Sequence, residues 1–201
     1  MKRKSIAAIT LCAVMLCPAA LASCGDSGSS ALQITAVGPY VDDEQLTSYG
    51  ESFSADSAAL SAAGETAEFS SLSVGDESDP SLYGASIMKV DAMIAANEMD
   101  IMICTVDEAA RSARSDYFSN LEETFTAEEL AQIPEEDLLS FDMVDEDGNA
   151  TGEQTAVCGV RISGNETLDA AMMGQEYGVF LISNTQNPDL AKEVFLEIVN
   201  S

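Results

Sequence analysis

A helix that leads into a buried strand is encoded in SLYGASIMKVDAMIAANEMDIMICTV, residues 81–106. In the first part of this stretch, apolar side chains recur at the spacing of one helix face: Tyr83, Ile87, Val90 and Ile94. The run 100–106 is mostly apolar, which is typical of a strand covered on both faces. A helix joined in this way to a covered strand predicts parallel α/β packing.

Further strands and helices are predicted on both sides of this unit. The strands are expected at 32–37, 68–74, 138–144, 155–162 and 177–183, and the helices at 42–53, 107–114, from Thr126 and from Pro188. Asp42, Asp107 and Asn187 are the expected helix N-caps. The fold class is therefore α/β, with a mainly parallel sheet and flanking helices over residues 31–201.

The N-terminus has the features of an export signal. Lys2, Arg3 and Lys4 precede an apolar run at 6–16 that is too short to span a membrane as a mature helix. The stretch Leu21-Ala22-Ser23-Cys24 resembles the bacterial lipobox. This resemblance implies a signal peptide at 1–23, lipidation of Cys24, a flexible tether at 24–30 and anchoring on the outer face of the cell membrane. An ordinary secretory signal, or a short anchor helix, is the alternative.

The chain is strongly acidic, with 35 acidic and 8 basic residues and a formal net charge of −27. Removing residues 1–23 from the 201-residue chain leaves 178 residues with five basic side chains and a charge near −30. Nucleic acids require clustered Lys and Arg, so we expect no nucleic-acid partner, and membrane attachment through the Cys24 lipid alone. One interpretation of this acidity is that it keeps the protein soluble and makes its copies repel one another. A more specific interpretation is that the acidic surface binds cations weakly.

Histidine is absent from the chain. Its absence excludes Ser-His-Asp and Cys-His catalysis and imidazole-based metal sites, and we expect no metal, no cofactor and no enzymatic activity. The Asp-Gly turn at 145–149 does not predict calcium binding, because Met143 and Gln154 would occupy the first and last positions of the loop. Glycoside cleavage by paired carboxylates needs no histidine and is a third class of function, but no pair stands out among 35 acids.

Two cysteines remain once the signal peptide and Cys24 are set aside. Cys104 and Cys158 both fall in predicted buried strands. Export to an oxidising space favours one disulfide between them. Two buried, unpaired thiols are the alternative, because a free cysteine packs like a small apolar residue.

Three stretches resemble the extracellular solute-binding proteins of bacterial ABC importers, which have the type II periplasmic-binding fold. They are 34–40 with the helix that follows, 88–103, and 177–195 with its Asn-Pro helix start. The resemblance implies a lipoprotein that binds a sugar, peptide or amino acid and presents it to an ABC permease. Members of this family close two lobes around the ligand. Here 106–156 provides only about fifty residues for the second lobe, which implies a reduced or missing lobe, or an insertion.

Ligands of open α/β sheets bind at the loops beyond the carboxyl ends of the parallel strands. The predicted loops contain Tyr40, Tyr83, Thr105 and Asp107 as candidate ligand-binding residues. The tyrosine rings can stack on a sugar or peptide, and Asp107 can accept hydrogen bonds from hydroxyl or amine groups. In the alternative interpretation Tyr83 belongs to the core and Asp107 only caps its helix. The alternative function is an interaction or structural lipoprotein that keeps the fold without a ligand cleft.

Overall fold

A six-stranded mixed sheet with helices on both faces forms the fold in the computed structural model, which describes residues 31–75 and 78–201. The strands are β1 (Leu32–Gly38), β2 (Ala67–Ser73), β3 (Ile101–Thr105), β4 (Leu138–Leu139), β5 (Asp142–Val144), β6 (Ala150–Gln154), β7 (Gly159–Ile162) and β8 (Tyr177–Leu181). The helices are α1 (Asp43–Asp56), α2 (Ala58–Ala63), α3 (Pro80–Ala95), α4 (Val106–Arg114), α5 (Leu121–Thr124), α6 (Ala127–Leu130), α7 (Glu166–Ala171) and α8 (Pro188–Val199), with a 3-10 turn at Glu135–Asp137.

The predicted signal peptide at 1–23, Cys24 and the tether at 24–30 lie outside the described residues. Within the two described ranges, no helix combines the length and the apolar character needed to cross a membrane.

The strand order in the main sheet is β2-β1-β3-β8-β7-β4. β1 pairs in parallel with β2 and β3, so the parallel packing expected from residues 81–106 is confirmed for this part of the sheet. β8 lies antiparallel between β3 and β7, and β4 is antiparallel to β7. The sheet is therefore mixed. The prediction of a mainly parallel sheet does not hold for β8, β7 and β4. The sequence does not distinguish the two cases, because an apolar run is the same in either strand direction.

Two apolar clusters fill the two faces of the sheet. On β8, Val179 belongs to the cluster under α1, α2, α7 and α8, whereas Phe180 belongs to the cluster under α3 and α4. This alternation follows from the two-residue period of a strand. The predicted stripe of α3 is confirmed, because Val90 and Ile94 are buried in the second cluster and Tyr83 and Ile87 pack against it. Both faces of β3 are covered, as the apolar run predicts.

The predicted helix starts agree with the structure at α1 and α8 and differ at α4. The Asp42 carboxylate accepts hydrogen bonds from the backbone N–H groups of Glu44 and Gln45, both at 3.0 Å. α4 begins at Val106 directly after β3, so Asp107 lies in the first turn and the predicted Asp107 cap is wrong. Asn187 occupies the N-cap position of α8 but makes no capping bond with its side chain.

The segment 106–156 contributes to the main sheet as well as to a small structure of its own. The predicted strands at 138–144 and 155–162 are both divided. β4 and β7 pair in the main sheet, whereas β5 and β6 form a separate two-stranded sheet across the turn at 145–149. Arg114 Nε donates to the carbonyl oxygen of Asp142 at 2.9 Å and ties this hairpin to α4. The interpretation of 106–156 as a reduced second lobe stays a prediction.

Candidate functional site

The candidate site lies at the carboxyl edge of β1 and β3. The two parallel neighbours of β1, which are β2 and β3, stand on opposite sides of it. Such a topological switch point leaves a crevice between the loops that follow the strands. An open pocket of about 230 Å³ is found there, lined by Thr105, Val106, Asp107, Gln175 and Glu176.

Hydrogen bonds between three loops build this pocket. The backbone N–H of Val106 donates to the carbonyl oxygen of Glu176 at 3.1 Å, which holds the start of α4 against the loop before β8. Gln175 Nε2 donates to the carbonyl oxygens of Tyr40 at 3.4 Å and Met172 at 3.2 Å. These two bonds connect the bend after β1 to the end of α7. The pocket is therefore a product of the fold, assembled from residues far apart in the chain.

Thr105 is the buried polar group of the pocket, with 3% of its surface exposed. A Cβ at Gly38 would lie 3.2 Å from Thr105 Cγ2, so Gly38 gives the threonine methyl group room. Thr105 stands at the N-cap position of α4 without capping it. Among the described residues its Oγ1 has no hydrogen-bond partner. A buried hydroxyl without a partner costs about 1–3 kcal/mol, so this group is suited to bind a ligand.

Two carboxylates line the same pocket as Thr105. Glu176 forms an ion pair with Arg161, whose Nε lies 2.6 Å from Glu176 Oε1. Asp107 is exposed and makes no salt bridge with any residue in the described ranges. The pocket thus has one carboxylate in an ion pair and one that forms none with the described residues.

The other two candidate residues have different positions. Tyr40 is 56% exposed and does not line the pocket, but its carbonyl oxygen accepts a hydrogen bond from Gln175, which does. Tyr83 does not line the pocket: its hydroxyl donates to Glu108 Oε1 at 3.0 Å and helps to hold α3 against α4. The structure therefore brings Thr105 and Asp107 together in the pocket, connects the Tyr40 backbone to it through Gln175, and assigns Tyr83 a packing contact. Asp76, in the same predicted loop, lies outside the described residues.

Gln175 and Glu176 are the pocket residues that the sequence did not indicate. A parallel strand at 177–183 would bring the residues after it to the carboxyl edge. Because β8 is antiparallel, the residues before it lie there instead. The direction of β8 was the missing information, and no motif at 175–176 supplied it.

A larger pocket of about 430 Å³ lies at the opposite edge of the sheet, with Gln33, Asn97, Asp100 and Asn187 among its lining residues. The Asp100 carboxylate accepts bonds from the Gln33 backbone N–H and from the Thr185 hydroxyl, so both of its oxygens already have partners. Within the described part of the chain, no buried side-chain atom that lines this pocket lacks a hydrogen-bond partner. We therefore place the candidate site at the switch point.

Cys104 and Cys158 are free, buried thiols in the structure. Cys104 is on β3 and Cys158 immediately precedes β7, and β8 runs between these two strands. Two strand spacings amount to about 9.6 Å, whereas a disulfide requires Cα atoms within about 7 Å. The predicted disulfide is therefore not formed here, because the inserted β8 separates its partners. In the part of the chain that the structure describes, no three His, Cys, Asp or Glu side chains are grouped to hold a metal.

We expect Cys104 and Cys158 to stay unreactive in the folded protein. Burial raises the pKa of the Cys158 thiol to about 11, and burial with the nearby Glu108 charge raises the pKa of Cys104 well above its usual range. Unfolded thiols ionise near pH 8.5, so the unfolded state binds fewer protons above that pH. The free energy of unfolding should fall by about 1 kcal/mol per thiol by about pH 9.5.

Thiol titration and urea unfolding between pH 7 and 10 check this expectation. A Cys104→Ala/Cys158→Ala variant serves as the control. It should match the native protein in thiol reactivity before unfolding, show two fewer thiols after unfolding, and lose stability less steeply with rising pH. A disulfide would instead be demonstrated if the two unfolded proteins had equal thiol counts and the mass of the native protein rose by two hydrogen atoms on reduction.

In comparisons with protein-family models, with curated proteins and with solved structures, nothing matches this chain. The function must therefore be argued from the sequence and from the geometry of the pocket.

Proposed function

We propose that this protein is a membrane-tethered, extracytoplasmic lipoprotein that binds a small solute and presents it to an ABC-type permease. The observation that carries the proposal is the pocket at the switch point, where the buried Thr105 hydroxyl has no hydrogen-bond partner among residues 31–75 and 78–201. In this proposal the main sheet corresponds to one lobe of a type II periplasmic-binding fold, and 106–156 is a reduced second lobe or insertion. The lipid on Cys24 holds the protein at the outer face of the cell membrane, and no catalysis is involved.

Exposed apolar side chains at the carboxyl edge of the sheet support the presentation step. Tyr40 and Leu82 are each 56% exposed, and Met173 is 58% exposed. All three belong to connections at the carboxyl edge: after β1, at the start of α3 and before β8. Large exposed apolar residues around a binding pocket are typical of a surface that contacts another protein. A permease that receives the solute would contact this edge.

The alternative proposal is an interaction or structural lipoprotein without a soluble ligand. The same exposed side chains, Tyr40, Leu82 and Met173, favour it, because an apolar surface needs only a protein partner. The two proposals differ in one measurable property, which is whether a small molecule binds the purified protein.

Thermal unfolding in the presence of sugars, amino acids, short peptides and amines tests the proposal. A ligand at roughly a hundred times its Kd stabilises the folded state by about 2.7 kcal/mol, which raises the Tm by several degrees in a domain of this size. A saturable shift with one class of compound supports solute binding. A cooperative transition that no class shifts would contradict it and favour the interaction lipoprotein.

Replacing Tyr40 or Asp107 by alanine should weaken the binding of that ligand without unfolding the protein. Both side chains are exposed, so we expect the Tm of the free protein to change by less than about 2 °C. Ligand affinity should fall about tenfold, which corresponds to the loss of about 1.4 kcal/mol of binding free energy. Glu193→Ala, which removes an exposed acid on α8, is the matched control and should bind normally. Unchanged affinity in both site variants would place the site elsewhere.

A further inference from the structure

We propose that the pocket at the switch point binds the protonated amino group of a small aliphatic amine. This inference rests on the proposed function, because it assigns a chemical class to the solute. It depends on three properties of the pocket: the hydrogen-bonding character of its lining groups, its local charge and its size.

The side chains that line the pocket offer hydrogen-bond acceptors. Asp107 and Glu176 contribute carboxylates. Gln175 uses its Nε2 group to bind the carbonyl oxygens of Tyr40 and Met172, so its Oε1 is the atom left for a ligand. The Thr105 hydroxyl can accept as well as donate. A ligand that satisfies such a set must bring donors, and an ammonium group brings three together with a positive charge.

The charge around the pocket also favours a cation. Arg161 compensates Glu176 at 2.6 Å, and Arg111 is bonded to Asp91 at 3.0 Å and lies 4.0 Å from Glu108. The N-terminus of α4 carries about half a positive charge from its helix dipole. Asp107 and Glu108, both in the first turn of α4, more than offset it. The net local charge is therefore negative, and the formal charge of −27 on the whole chain raises the concentration of cations at its surface.

Size and composition distinguish an amine from other ligands. A volume of about 230 Å³ accommodates a short aliphatic chain, and Val106 provides an apolar wall for it. Among the described residues, none that lines this pocket is Lys or Arg, and the neighbouring Arg161 is already paired with Glu176. A phosphate or carboxylate ligand would therefore meet two carboxylates without an unpaired cation in the lining. A bare metal ion requires several carboxylates close together, and no such group of three is present in the described ranges.

The test compares 1,4-diaminobutane with 1,4-butanediol, a neutral molecule of similar length, by thermal unfolding and calorimetry at pH 7 and constant ionic strength. Only the diamine should give a saturable shift. Asp107→Asn should weaken its binding at least tenfold, because the replacement removes the charge from the hydrogen bond. Glu193→Gln, which removes an exposed charge on α8, should leave the affinity unchanged.

Thr105→Val provides a readout that a purely structural role would not produce. The variant keeps the shape of the side chain and removes the buried hydroxyl that lacks a partner among the described residues. The Tm of the free protein should rise by about 3 °C, whereas the affinity for the diamine should fall about fivefold. A residue that only supports the fold would not separate stability from binding in this way.

The other outcomes are equally informative. Binding of sugars or of the diol, without binding of the diamine, would overturn the amine inference and leave solute binding intact. Equal loss of diamine binding in Asp107→Asn and Glu193→Gln would show that the whole acidic surface attracts the cation, and would overturn the site. Failure of every compound class in the ligand panel would overturn both proposals together.

Discussion

Phe180→Ala is expected to lower the free energy of unfolding by about 3–5 kcal/mol, and the Tm by about 10 °C. Phe180 is fully buried on the central strand β8. Its ring stacks on Phe118 with centroids 4.4 Å apart and also contacts Phe141 at 6.3 Å. Removing the ring leaves a cavity between the sheet and the helices that cover it, and these aromatic neighbours are too large to fill it by rotation. Urea unfolding of the variant, with Tyr40→Ala as an exposed aromatic control, measures the loss.

Gly159 allows a sharper version of the same experiment. A Cβ at Gly159 would lie 2.1 Å from Phe180 Cε1, so Gly159→Ala cannot be accommodated without moving the buried ring. We expect this substitution alone to cost about 1–3 kcal/mol. In the Phe180→Ala background the same methyl group enters the cavity, so its cost should largely disappear. Additive effects in this double-mutant cycle would contradict the packing described for β7 and β8.

Asp100→Ala is expected to cost about 2–4 kcal/mol of unfolding free energy. The Asp100 side chain is 6% exposed and accepts bonds from the Gln33 backbone N–H at 2.8 Å and from the Thr185 hydroxyl. It therefore joins the start of β1 to the loop after β8, next to β3. Alanine would leave both donors without their acceptor in a buried position, and that desolvation cost accounts for most of the loss.

Asp100→Asn distinguishes this explanation from a general effect of charge. Asparagine keeps an acceptor for the Gln33 N–H, and its amide can donate to Thr185, so the loss should be less than about 1.5 kcal/mol. Circular dichroism and urea unfolding of the two variants provide the comparison. Equal losses for alanine and asparagine would show that the negative charge, and not the two hydrogen bonds, stabilises this corner of the sheet.

Short-range patterns in the sequence predicted most of the elements. The apolar stripe of α3, the covered strand β3 and the Asp42 cap of α1 each depend on residues within one helix or strand, and all three are confirmed. In α8, Val194, Phe195 and Ile198 are buried at the same helical spacing. Such elements are predictable because the hydrogen bonds and the burial pattern that define them repeat locally.

The site was only partly predictable, because strand direction and hydrogen-bond partners are properties of the assembled fold. Thr105 ends a strand whose direction was predicted correctly, Asp107 follows that strand, and both line the pocket. Gln175 and Glu176 precede an antiparallel strand, and nothing in their own sequence indicates that direction. That the Thr105 hydroxyl has no partner in the described part of the chain becomes visible only when the neighbouring donors and acceptors have been placed.

The position of β8 at the centre of the sheet determines when folding can finish. β8 comprises Tyr177–Leu181 near the end of a 201-residue chain, and it joins β3 to β7. Pairing between such distant segments gives a high contact order, which slows the folding rate. A chain that emerges from its N-terminus therefore keeps this edge of β3 unpaired until β8 has been synthesised. During that interval the open edge is a template for pairing between chains, and aggregation competes with the insertion of β8.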